Sequence, residues 1–158
     1  MSGFSDSIMK FPAFFISVFC ILVTLSGASL AGEQRSGSLT VIDPWSRALP
    51  PTVKTGAAYL EVRNAGTGAD RIVGASTPVA ERVEIHSHEH VNGMMQMRKL
   101  DTVEVPPQGS LQFKSGGLHL MLLGLIEPLS EGLEFPLKLV FENAGSLEVT
   151  VKVERRYD

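Results

Sequence analysis

Every histidine and methionine beyond the first thirty residues falls into one of two short windows, and this clustering is the strongest chemical signal in the chain. The first window, "EIHSHEHVNGMMQM" at 84–97, holds His86, His88, His90, Met94, Met95 and Met97; the second holds His119 and Met121. Imidazole nitrogen suits copper, zinc, iron and nickel alike, whereas thioether sulfur is soft and neutral. A site that combines the two without thiolate or carboxylate favours Cu(I). Zinc would recruit Cys, His or Asp/Glu and leave the methionines without a purpose. Neither ligand type carries charge when bound, so the ion would be held without a strong thiolate bond, a chemistry suited to transfer more than to storage or catalysis.

A plainer account exists for single residues. Methionine commonly fills gaps in cores, and Met94 or Met95 alone is more simply read that way; lone histidines on exposed strands usually do nothing. Packing explains poorly why His and Met are coupled in both windows. A competing metal reading is a Zn(II)- or Cu(II)-sequestering protein that uses His86, His88 and His90 while the methionines pack. Other chemistries lack their motifs: there is no Gly-rich phosphate loop, no serine nucleophile elbow and no hydrolase-like His/Asp spacing. A copper oxidoreductase would need a substrate pocket that nothing in the sequence supplies. Glu84 and Glu89 flank the histidines, but charges alternating along a strand usually form a solvated face.

Strands must position these residues. Side chains two apart share a strand face, so "RVEIHSH" places Val83 and Ile85 on one face and Arg82, Glu84, His86 and His88 on the other. By the same rule "LHLMLLGL" groups Leu118, Leu120 and Leu122 and sets His119 beside Met121 on the reverse face. Asn92-Gly93 is a hairpin signal that folds Met94–Met97 back onto the histidines. A minimal two-residue turn would pair His90 with Met95 and His88 with Met97, with His86 diagonal to Met97. A longer loop would bring a different histidine nearest, and the pattern alone leaves that choice open.

The rest of the chain is also strand-like. "SLEVTVKVE" alternates Leu147, Val149, Val151 and Val153 with polar residues, and "PLKLVFEN" groups Leu137, Leu139 and Phe141. Turn-forming stretches such as "NAGTGAD", "PPQGS", "KSGG" and "NAGS" separate the candidates. Seven to nine short strands without an amphipathic helix predict an all-β sandwich or barrel of Greek-key type. Trp45, the only tryptophan, is expected to pack as a core or inter-sheet anchor.

The N-terminus reads as an export signal: Lys10 precedes an apolar run that ends in small residues, with cleavage expected after Ala31. The run is short for a membrane span, so no stable membrane insertion is expected after cleavage, and the mature protein is assigned to the periplasm. Cys20, the single cysteine, lies inside this segment, and Phe19 before it argues against a lipoprotein cleavage site. A mature chain without thiols cannot build disulfides, zinc-thiolate sites or a blue-copper centre. Residues 32–37 read as a flexible leader, 38–154 as one metal-binding domain and 155–158 as a short tail. The formal charge of −3, with no basic stripe, predicts no nucleic-acid binding.

With these residues in place, the sequence resembles the periplasmic copper chaperones called PCuAC proteins. Their signature is a His, ten residues, a Met, twenty-one residues, then His-x-Met; His86, Met97, His119 and Met121 satisfy it, and "DPWSRALPPTVKTGAAYLEVRN", "GGLHLMLLGL" and "PLSEG" extend the likeness over roughly Ser38 to Val153. The resemblance implies a cupredoxin-like β-sandwich binding one Cu(I) through those four residues, with His88, His90 and Met95 as accessory candidates. It also implies a non-enzymatic role in assembling the copper A centre of cytochrome c oxidase, with that subunit or a Sco-type thiol protein as recipient. Nitrogen-rich coordination by the extra imidazoles would suit Cu(II) as well. The chain ends "VKVERRYD", without the His- and Met-rich tail some relatives carry.

Overall fold

The computed structural model describes residues 33–91 and 93–156; the expected export signal and its cleavage site lie outside them. Eleven strands follow in order: β1 (Glu33–Ser36), β2 (Leu39–Arg47), β3 (Thr55–Asn64), β4 (Asp70–Ser76), β5 (Ala80–Val91), β6 (Met94–Leu100), β7 (Val103–Val105), β8 (Gly109–Phe113), β9 (His119–Leu125), β10 (Glu134–Phe141) and β11 (Gly145–Glu154). No helix occurs among the described residues, and the all-β class matches the expectation. The strand count exceeds seven to nine because β1 and β7 are only four and three residues long and carry no apolar alternation of useful length. Glu33–Ser36 corrects the expected flexible leader. These residues pair antiparallel with β2, and Ser36 Oγ donates to the Ala144 carbonyl at 3.3 Å. A polar strand of this kind is recruited by its neighbour's backbone and leaves no hydrophobic trace in the sequence.

The hydrogen-bonded path runs β6-β5-β9-β3-β2-β11-β10-β4-β7, with β1 added to β2 and β8 to β3. All pairings are antiparallel except β11 with β2. The path curls, so that β4 near one end comes against β5 near the other, and a single apolar core forms between the facing layers. The alternation read from the sequence fills that core: Phe135, Leu137, Leu139 and Phe141 of β10 and Leu147, Val149, Val151 and Val153 of β11 are all buried. From the other side come Ile85 of β5 and Leu120 and Leu122 of β9. These three fix the register of the site strands, because a slip by one residue would turn them outward and the histidines inward.

Trp45 packs, as expected. Its ring lies 4.7 Å from that of Tyr59, and the Arg156 guanidinium sits 4.9 Å from its centroid. Arg156 also grips Asp43, at 2.5 and 2.9 Å, where β2 shifts register and Asp43 takes a φ of +48°. The second residue after the last strand is thereby tied back to β2. The Asp70 carboxylate, also buried, accepts from the backbone N–H of Arg71, Asn143 and Ala144 and from the Asn143 side chain, pinning the β10–β11 turn to β4.

Candidate metal centre

β5 lies between β6 and β9, and the two registers decide which side chains meet. On one side His86 faces Lys99, His88 faces Met97 and His90 faces Met95, with Val91 opposite Met94 closing the hairpin. This is the register of the minimal turn, and Gly93 supplies its positive φ of +80°. On the other side Glu84 faces Met121 and His86 faces His119. Directly paired residues point to the same face, so Glu84, His86, His88, Met97, His119 and Met121 all occupy the face opposite the core. The two windows, distant in sequence, become neighbours through β5.

Sheet twist slants the cross-strand contacts in one sense. Lys99 Nζ reaches Glu84 at 3.1 Å, one row away from its direct partner His86. The His88 ring lies 5.1 Å from the His119 ring, again one row over in the same sense. Met97 stands in that same slanted relation to His86, and His86 to Met121. The sequence-predicted ligands Met97, His86 and Met121 thus lie on one diagonal, with His119 beside its centre, 5.9 Å from His86 ring to ring. A metal-bound imidazole nitrogen sits about 2 Å from the ion, and the ring centre roughly 1 Å further. Two rings sharing an ion are therefore at most about 6 Å apart, a limit that both ring pairs meet.

Two features show these rings to be more than surface decoration. His119 is only 6 % exposed, although the alternation put it on the outer face; the rings of His86 and His88 cover it. Burial lowers its pKa below the usual histidine value, a hydrogen bond to the Gly117 carbonyl opposes the shift, and the neighbouring His88 and His86 add to it. Because Nδ1 lies 3.0 Å from that carbonyl, which only accepts, Nδ1 carries the proton and Nε2 is the nitrogen with a free lone pair. Secondly, Nδ1 of both His86 and His88 is buried without a hydrogen-bond partner, an arrangement that is costly in a protein interior and that fits groups awaiting an ion.

Glu84 is the residue that sequence reasoning undervalued. It is not a solvated charge: its side chain is 14 % exposed and contacts His86 Nε2 at 2.9 Å, Lys99 at 3.1 Å and Arg82 at 3.0 Å. Hydrogen bonds from His86 and Lys99 hold its carboxyl down to about 2, against a smaller opposing effect of burial. Its position two residues before His86 was a usable signal. Met94, Met95 and Met97 are all exposed, which rules out the packing account for the first window; Met121 is half-buried. Met95 sits opposite His90, two rows from His86 and away from the diagonal. Among the described residues no three His, Cys, Asp or Glu side chains are grouped as a ready metal site, so a shared ion would draw on the thioethers as well.

The family model for LpqE-like putative lipoproteins matches residues 39–153. The chain belongs to that family. A similar protein is the putative lipoprotein Lxx21020 of Leifsonia xyli subsp. xyli, 29 % identical over 136 residues that make up 85 % of this chain and 80 % of the relative. The fold is that of PCuAC domains, as the resemblance implied. The copper-bound PCuAC domain from PmoF2 superposes with a TM-score of 0.67 at 24 % identity, over 78 % of this chain and 98 % of that one. The Cu(I) form of DR1885 from Deinococcus radiodurans does so with a TM-score of 0.62 at 26 % identity, over 84 % and 85 %.

Proposed function

We propose that this LpqE-like protein is an exported, non-enzymatic copper carrier that holds one Cu(I) through His86, Met97, His119 and Met121 and releases it by ligand exchange. The observation that carries the reading is the convergence of the two windows on one face of β6, β5 and β9, with ring spacings compatible with a shared ion and buried imidazole nitrogens left without partners. Two neutral thioethers in the set favour the monovalent ion. A Cu(I)-bound neighbour of the same fold supports the choice of metal. A recipient that offers thiolates would draw the ion away, since thiolate is the stronger ligand; the copper A subunit of cytochrome c oxidase and Sco-type thiol proteins have that chemistry. Export follows from the apolar leader, with cleavage proposed after Ala31.

X-ray absorption of the Cu(I)-loaded protein tests the site, the expected shell being two sulfur and two nitrogen neighbours. A shell without sulfur would refute it. That outcome would favour the second reading, Zn(II) or Cu(II) sequestration by nitrogen donors, which the two unpartnered Nδ1 atoms support on their own.

A further inference from the structure

His86 carries two nitrogens in unlike surroundings. Nε2 lies 2.9 Å from Glu84 Oε2, while Nδ1 is buried without a partner. A carboxylate only accepts, so the proton of the neutral ring sits on Nε2 and the lone pair on Nδ1. His119 is arranged in the opposite way, with Nδ1 bound to the Gly117 carbonyl and Nε2 left over. Glu84 itself cannot drift, because Lys99 from β6 and Arg82 from its own strand hold its other oxygen at 3.1 and 3.0 Å.

We infer that Glu84 is a positioning residue for the metal centre: it orients His86 so that this ring binds copper through Nδ1, while His119 binds through Nε2. The inference rests on the carrier reading above. Nδ1 is one bond nearer the backbone than Nε2, so an ion bound there lies close to the sheet surface, in reach of Met121, which shares the row of Glu84. Coordination through Nε2 would require breaking the Glu84 contact and swinging the ion outward, away from Met121 and the buried His119. A carboxylate that fixes the second nitrogen of a ligating histidine also raises the basicity of the first, and losing such a partner costs about 10–100-fold in metal affinity. The chain Lys99–Glu84–His86 crosses from the edge strand to the site, so the hairpin that delivers Met97 also delivers the lysine that anchors Glu84.

The test combines imidazole ¹H–¹⁵N correlation spectra with Cu(I) competition titrations on wild type, Glu84→Ala and Glu84→Gln. In metal-free wild type at pH 8, His86 is expected to be protonated at Nε2; on Cu(I) loading its Nδ1 and the Nε2 of His119 should shift. Glu84→Ala should weaken Cu(I) binding about 10–100-fold, and Glu84→Gln, whose amide oxygen still accepts from Nε2–H, should recover most of it. A His86 protonated at Nδ1, a loading shift at His86 Nε2, or an unchanged Glu84→Ala affinity would each overturn this inference alone. Wild type that fails to bind Cu(I) would overturn the carrier reading and this inference with it. Melting curves of both variants separate a folding defect from a binding one.

Discussion

Replacing Met97 and Met121 together by leucine separates copper carriage from packing. Met97 is 53 % exposed, and surface substitutions of this kind stay within about 0.5 kcal/mol. Met121 is half-buried beside Ala57, and a volume-conserving Met-to-Leu swap costs less than about 1.5 kcal/mol. The pair therefore loses less than about 2 kcal/mol, and at roughly 3–5 °C per kcal/mol for a domain of this size the melting temperature falls by less than about 10 °C. The effect on copper should exceed this. Outer partners of metal ligands are worth about 10–100-fold in affinity, so removing two ligands should cost at least about 100-fold, equivalent to about 2.7 kcal/mol. Competition against a chromophoric Cu(I) chelator measures this, with Zn(II) titrated in parallel. Zn(II) binding should survive because the imidazoles are untouched. A double variant whose Cu(I) affinity stays within threefold of wild type would refute the thioether site.

Three further outcomes follow from the geometry. His119 should titrate below the ordinary histidine midpoint of about 6.5, because burial disfavours its charged form. As pH falls past that value the unfolded chain takes up a proton that the folded chain resists, so His119 subtracts stability in acid; an NMR midpoint at or above 6.5 would contradict the burial argument. Asp70→Ala should lower stability by about 2–4 kcal/mol, since it orphans three backbone N–H groups; a loss under about 1 kcal/mol in a denaturant titration would refute it. For wild-type Asp70, burial raises the pKa but the hydrogen bonds outweigh it, so its contribution is present above about pH 4 and is lost as pH falls through the lowered folded value. Arg156→Ala should cost less than about 1 kcal/mol, because its ion pairs are partly exposed, yet should change the Trp45 emission as the guanidinium leaves the ring. An unaltered spectrum would refute that contact.

The parts of the site written in local pattern were legible. Alternation gave the buried faces of β10 and β11, and Asn92-Gly93 gave the hairpin, while the choice of His88 as the direct partner of Met97 came only with the observed register. What local pattern could not give was the placement of β9 against β5. That contact joins residues more than thirty apart, and its register is set by Ile85, Leu120 and Leu122 entering a common core, not by any propensity of the histidines. The burial of His119 was hidden for the same reason: outward alternation describes one strand, whereas its cover comes from His86 and His88 on the next. β1 was missed because Glu33, Gln34, Arg35 and Ser36 carry no apolar alternation, and Glu84 was misjudged because its alternation with apolar residues looks the same whether a carboxylate faces water or anchors a ring.

The order of strands also grades access across the proposed centre. β6 is the terminal strand of the path, and Met97 on it is largely open to solvent, while His119 two strands inward is almost completely covered. An approaching ligand would meet the thioether first and the buried imidazole last. Met97 would be a neutral, monodentate ligand on an edge strand whose residues Met94–Lys99 are all exposed, so it could be displaced without disturbing the core. His119 cannot leave so easily, because its Nδ1 hydrogen bond and its place in β9 hold it against the core strands. Stepwise exchange would begin at the edge and end at the centre, so the proposed site would retain the ion by burial on one side while surrendering it from the other.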